Sequence, residues 1–243
     1  MLYQAAAFQL AHADERKEPL AELFSTVARQ LQEWWKRTRS FTCYDLFYRL
    51  YTQWLELKGN YEQILSLTSQ SEMLLEELGV NTRRFDRRYN HGVWVRACLR
   101  TGAVNEGLQL AGVGGPLFEP TSHQWFAHQE SYLLLALHGQ AYTLAEEVAR
   151  QAEQIPFPDQ TSPWLRERWR LYRGYLDWMH PNGKALPLLE EGLAQQMIPS
   201  GGRDRSGYHV AVVILQFCYH LQANGETGCW PSQKSTRNTW TVT

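Results

Sequence analysis

What the chain lacks narrows its class first. It has no excess of either charge: 24 basic residues against 25 acidic ones leave a net charge of −1. No global field therefore draws it toward nucleic acid or an anionic membrane. Its apolar runs, such as Val210 to Leu215, are far too short to cross a bilayer. Its cysteines, Cys43, Cys98, Cys218 and Cys229, stand far apart with no C-x-x-C pair. A disulfide framework is thereby disfavoured, and reduced, mostly buried thiols are expected. Alternating β-branched runs are almost missing, so the reading is all-α. The opening MLYQAAAFQLAHA carries a faint A-x-A but neither a basic start nor a clean apolar run. A cytoplasmic location is the expectation.

What is present is a large supply of core. Apolar residues make up 44% and aromatics 13% of the 243 residues, which excludes general disorder. The length suits one large domain, two small ones or a solenoid. One stretch, Trp125 to Pro156, organises the rest. Trp125, Gln129, Tyr132, Leu133, Ala136 and Leu137 recur at the three- and four-residue steps of one helix face. Gly139 is expected to take the left-handed conformation that lets a helix stop and reverse. Leu144, Ala145, Val148, Ala149 and Ala152 form a second stripe, ended by Pro156. The alanines allow two helices to approach closely. Such a hairpin leaves apolar surface uncovered and needs a neighbour of its own kind.

The neighbours can be read along the chain. Residues 1 to about 14 look like a helix end, ADERKEP a connector, and Leu20 to Lys36 a helix with Leu20, Phe24, Val27, Leu31 and Trp34 or Trp35 on one face. Together they make an N-terminal helical pair, residues 1–40. Helix-turn-helix units then occupy about 41–80, 84–120, 122–158 and 162–199, and 205–222 begins a fifth. Their turn glycines, Gly59, Gly102, Gly139 and Gly183, are separated by 43, 37 and 44 residues. Pro120, Pro156 and Pro199 follow their glycines by 18, 17 and 16 residues. Ser122 is placed to cap its helix, and Ser162-Pro163 is a cap followed by proline at the first helical position.

In its turn glycines, in the small residues Ala145, Ala149 and Ala152 and in Pro156, the chain resembles the tetratricopeptide-like (TPR-like) helical repeats over roughly residues 41 to 222. That resemblance implies a right-handed α-α superhelix, a solenoid of about five helix hairpins with the last incomplete. It further implies a concave face that binds peptides or protein surfaces, and it carries no catalytic residue to transfer. After Ala223 the repeat should supply another helix, yet 223–243 is an irregular tail without apolar period. Read from each third base, Cys229-Trp230-Pro231 would encode Leu-Ala, and Trp240-Thr241 would encode Asp. A frameshift near residues 223–226 is therefore expected, and the chain is read as a fragment.

Candidate chemistry is thin. His123 and His128 are five apart and point to different helix faces, and His209 and His220 are too distant to share an ion. Surface or helix-end histidines are expected, with no metal. The glycine run Gly112 to Pro116 has neither the strand before it nor the Lys-Ser/Thr after it that a phosphate loop requires, and reads as a helix terminator. Glu146-Glu147 and Glu190-Glu191 are adjacent on helices and do not converge. No cofactor is expected.

Two basic patches invite a partner: Arg83, Arg84, Arg87 and Arg88 before Tyr89, and Arg166, Arg168, Arg170 and Arg173 among Trp164, Trp169 and Tyr172. Arginine beside aromatics can grip phosphates and bases, but its stem also covers apolar neighbours on an ordinary solvated face. Trp94, Trp125 or Trp178 could anchor a partner. The expectation is a non-catalytic protein-protein interaction scaffold binding a protein or peptide, without membrane or nucleic acid. Its contact residues are expected to be Arg87, Arg88, Asn90, Trp94, Gln129, Tyr132, Arg168 and Tyr172. The alternatives are RNA binding by helical repeats and an α/α-toroid carbohydrate-active enzyme.

Overall fold

The computed structural model describes residues 17–77, 85–157, 163–179 and 205–223. Among them every regular element is helical and no strand occurs. The helices are α1 (Lys17–Thr38), α2 (Phe41–Lys58), α3 (Tyr61–Glu77), α4 (Arg87–Thr101), α5 (Val104–Gly114), α6 (His123–His138), α7 (Tyr142–Gln154), α8 (Pro163–Met179) and α9 (Arg205–Ala223). A short 3-10 turn, Gly115–Leu117, follows α5. The chain divides into two compact units, Met1–Pro158 and Asp159–Thr243. The first sixteen residues, Arg83 and Arg84, the expected helix around Leu186 to Met197 with Gly183 and Pro199, and the tail with Cys229 lie outside the described residues.

Within the first unit each helix packs on the next. Phe24 of α1 stacks on Trp54 of α2 at 4.4 Å between ring centroids and on Tyr51 at 5.9 Å. Val27, Ala28 and Leu31 continue that seam beneath Leu50. Tyr44 and Tyr48 of α2 meet Phe85 and Leu74, and Ile64 of α3 meets Val93 and Ala97 of α4. Val95, Ala111 and Leu135 join α4, α5 and α6. Ala145, Val148, Ala149 and Ala152 of α7 are all buried, which fits the role of small residues in a close helix pair.

The hairpin turns follow the glycines, with one correction. Gly59 (φ 69°) and Gly102 (φ 77°) are left-handed, and their N–H groups close onto the last carbonyls of α2 and α4. Gly139 is not left-handed. Its φ is −81°, and the neighbouring Gln140 takes the positive angle, φ 56°. The reason for a glycine there is steric. A β-carbon at 139 would stand 2.9 Å from Val104 Cγ1 and 3.3 Å from Leu108 Cδ1, so α5 packs directly against this turn. A second difference is the start of α1, which takes in Lys17, Glu18 and Pro19 from the expected connector; proline is tolerated there because first-turn N–H groups have no helical partner.

Helix α6 is also more deeply placed than one stripe predicts. Besides Trp125, Gln129, Leu133 and Ala136, it buries Phe126, His128, Ser131 and Leu135. It lies against α4, α5 and α7, so several of its faces are covered. Ser122 caps it as expected, its hydroxyl accepting from Trp125 N–H at 3.1 Å. The glycine run ends α5 at Gly114 and turns the chain through Pro116, as a terminator does.

The second unit shows α8 and α9 packed through Leu171, Val212, Leu215 and Tyr219. Tyr175 donates to the Ala211 carbonyl at 2.7 Å and Tyr219 to the Gly174 carbonyl at 3.0 Å.

The two kinds of turn glycine should behave differently. Gly102→Ala forces a β-carbon into the left-handed region and is expected to cost about 1 kcal/mol in urea unfolding, with Gly102→Asn costing less. At Gly139 the ranking inverts: alanine is better tolerated than asparagine, because space against Val104 and not φ is limiting. One ranking shared by both sites would remove the distinction.

Candidate functional site

The most structured polar arrangement joins α2 to α4, the first helices of successive hairpins. Tyr48, with no exposed surface, donates its hydroxyl to Asn90 Oδ1, and Asn90 Nδ2 donates to Glu72 of α3 at 3.1 Å. Tyr44 donates to Ser71 at 2.6 Å, tying α2 to its own partner α3. One turn on, Thr52 and the Tyr89 hydroxyl stand 2.7 Å apart. Arg49 lies over the Tyr89 ring at 4.6 Å, between Asp45 at 3.0 Å and Asp86 at 3.8 Å. Further along, Arg96 reaches Glu56 at 3.2 Å. The partners climb together, 49 with 86, 52 with 89 and 56 with 96, so α2 and α4 run parallel.

The electrostatics follow from burial. Burial holds the Tyr48 and Tyr89 hydroxyls well above the ordinary phenol value, so both stay protonated and act as donors or acceptors, not as bases. For Arg49 burial opposes the charge, but Asp45 and Asp86 outweigh it and raise its pKa. Tyr48, Asn90, Thr52 and Tyr89 thus make an inner hydrogen-bonded line. Outside it runs a half-exposed line of alternating sign: Asp45, Arg49, Asp86, Arg88, Glu56 and Arg96.

The expected contact residues divide between surface and interior. Arg87 and Arg88 are exposed, and Arg88 pairs with Asp86 at 3.5 Å. Trp94 is half-buried and donates its indole N–H to Glu106 at 3.0 Å. Tyr132 is half-buried against the Val95–Ala111–Leu135 cluster. Asn90 and Gln129 are interior, and so is Trp125. A side chain on the inner side of the α2–α4 seam has no open face to offer, and Asn90 spends its amide on Tyr48 and Glu72. In the second unit Arg168 and Tyr172 are half-buried, and Tyr172 meets the Trp169 ring edge-on at 5.9 Å.

The histidine expectation needs correction. His91 and His128 are neither surface nor helix-end residues: they are 8% and 4% exposed, with ring centroids 5.5 Å apart. His91 lies 37 positions before His128, on α4, and no local spacing links them. Among the described residues no three His, Cys, Asp or Glu side chains gather as a metal site. Cys98 is likewise unsuited to nucleophilic chemistry, because burial and Glu106 push its thiol up to about 12. No protein-family model, curated protein or solved structure matches the chain.

Removing the inner bond separates its parts. Asn90→Leu leaves the Tyr48 hydroxyl buried without a partner and is expected to cost about 2–3 kcal/mol, while Tyr48→Phe costs about 1 kcal/mol. The double variant recovers part of the loss in chemical denaturation. Strictly additive effects would mean the two groups are not coupled.

Proposed function

We propose that the chain is a non-catalytic interaction scaffold whose TPR-like hairpins stack into a right-handed superhelix, and whose first helices present a binding surface to a protein or peptide. The observation that carries this reading is the half-exposed line of alternating charge along α2 and α4. Partly exposed ion pairs contribute little to stability, about 0–1 kcal/mol each. Their partners can therefore be exchanged for those of a ligand at small cost, while the buried Tyr48–Asn90 line keeps the backbone beneath them in place.

The mixture of signs also bears on the class of partner. Arg88, Arg96 and Arg100 follow one stripe of α4, and each already has a match: Asp86, Glu56 and the Tyr61 ring at 6.0 Å. A phosphate backbone would meet Asp45, Glu56 and Asp86 in the same strip. A peptide carrying both acidic and apolar side chains suits it better, its acidic groups meeting the arginines and its apolar ones the aliphatic stems that carry them. Free Cys43, Cys98 and Cys218 fit a reducing compartment, and the cytoplasm is the proposed location.

The test is a random-peptide display selection against the purified chain, followed by anisotropy titration of the enriched peptides. Acidic-apolar sequences are expected, with Arg88→Glu and Arg96→Glu each raising Kd about tenfold at unchanged helical circular dichroism. Enrichment of peptides that bind both variants as well as the parent, or tight binding confined to oligoribonucleotides with a steep salt dependence, would overturn the reading.

A further inference from the structure

Three helices and a turn converge on two imidazoles. His91 comes from α4 and His128 from α6, and Phe118, just past the 3-10 turn, stacks on His128 at 4.6 Å and stands 6.1 Å from His91. Gly114, the last residue of α5, closes the other side so tightly that a β-carbon there would overlap His91 Nε2. His91 Nε2 has no hydrogen-bond partner and neither does Gln129 Oε1, while His128 has only the Ala111 carbonyl beside its ring nitrogens, without the geometry of a full hydrogen bond. A neutral imidazole can endure this; an imidazolium, with two N–H donors and a charge, cannot do so without a counter-ion.

The geometry points to a proton-triggered latch: protonation of either ring puts an uncompensated charge into the α4–α5–α6 junction and releases the turn Gly112–Phe118 that seals it. Among the described residues no carboxylate acts on either ring. From α3 comes Glu72, engaged with Asn90; from α5 comes Glu106, engaged with Trp94. The turn contributes Phe118 and, next to it, the exposed Glu119; α6 contributes Tyr132, 6.4 Å from His128, and the half-buried Glu130. Helix α4 itself carries Arg87, Arg88, Arg96 and Arg100, all cations, and α7 carries Glu146, Glu147, Arg150 and Glu153. What bears on His91 is burial alone. What bears on His128 is burial, then His91, opposed by the Ala111 carbonyl.

The sign is fixed by those effects. Burial lowers His91, and it lowers His128 to about 4 from an ordinary 6.5. The open form takes protons first, so the closed form is intact above the ordinary value. It weakens as pH falls from there toward about 4, where the closed form also protonates. For His128 alone, acidification from pH 7.5 to 5.0 multiplies the opening constant about 30-fold, and His91 adds to it. What emerges is apolar. Val113 is already 74% exposed and Leu117 is exposed, and opening adds the buried Phe118.

Hydrogen exchange of the whole chain at pH 7.5 and 5.0, corrected for intrinsic rates, tests this, alongside urea unfolding. Expected is an early loss of protection over residues 108–118, with the unfolding constant rising about 30-fold or more. His128→Phe, which keeps the stack on Phe118, should flatten that rise. Equal pH dependence in parent and variant would overturn the latch, as would first loss elsewhere. Should the variant not fold, histidine NMR of the parent decides: two imidazoles that stay neutral at pH 5.5 support it, and none below the ordinary value defeats it.

Discussion

A helix that is apolar on more than one side cannot be stable as half of an isolated hairpin, and α6 is such a helix. Phe126, Leu133, Leu135 and Ala136 have essentially no exposed surface, yet they point in different directions around the axis. Covering them takes α7 on one side and α4 with α5 on the other. The small residues on those neighbours follow from this demand: Ala145, Ala149 and Ala152 on α7, Ala111 on α5. Gly107 does the same at closer range, since a β-carbon there would stand 2.8 Å from Leu135 Cδ2 and 2.9 Å from Cys98 Cβ. Once α6 is enclosed, the spacing of successive hairpins is set by side-chain size.

Polar groups do different work on the α2–α4 seam. Two parallel helices that met only through aliphatic side chains could slide by a turn at modest cost. Tyr48 with Asn90 and Thr52 with Tyr89 forbid that, because a shift would leave buried hydroxyls and an amide unsatisfied. The aromatic bodies of the tyrosines fill space while their hydroxyls define register. The outer ion pairs, partly open to solvent, add little to register.

How far these features could be read in advance depends on how local their signal is. The turns at Gly59, Gly102 and Gly139, the cap at Ser122, the proline at Pro163 and the paired stripes of α6 and α7 are encoded within a few residues, and the described helices lie close to where periodicity places them. Gly139 shows the limit: a glycine after a helix says that something small is needed, not whether φ or a neighbour demands it. Asn90 and Gln129 show another. A polar residue on a helix face reads as surface unless its partner is known, and Tyr48 lies 42 residues from Asn90. The histidine pair has no local signal at all, since its members come from different hairpins.

That separation also explains how an unsatisfied pair can persist in so well-packed a place. Each ring is held by contacts that serve other ends: His91 by α4, whose neighbouring Asn90 is bonded to Tyr48, and His128 by α6, whose enclosure the whole unit requires. Neither can withdraw its nitrogens toward water without moving a helix that many apolar contacts keep still. The element packed against the pair with least burial is the α5 terminus and the turn after it, where Gly112, Val113, Pro116 and Leu117 are all exposed. Strain placed between two immobile helices and one weakly held turn is relieved at the turn, so the direction of any opening is set by packing before protonation decides when it occurs.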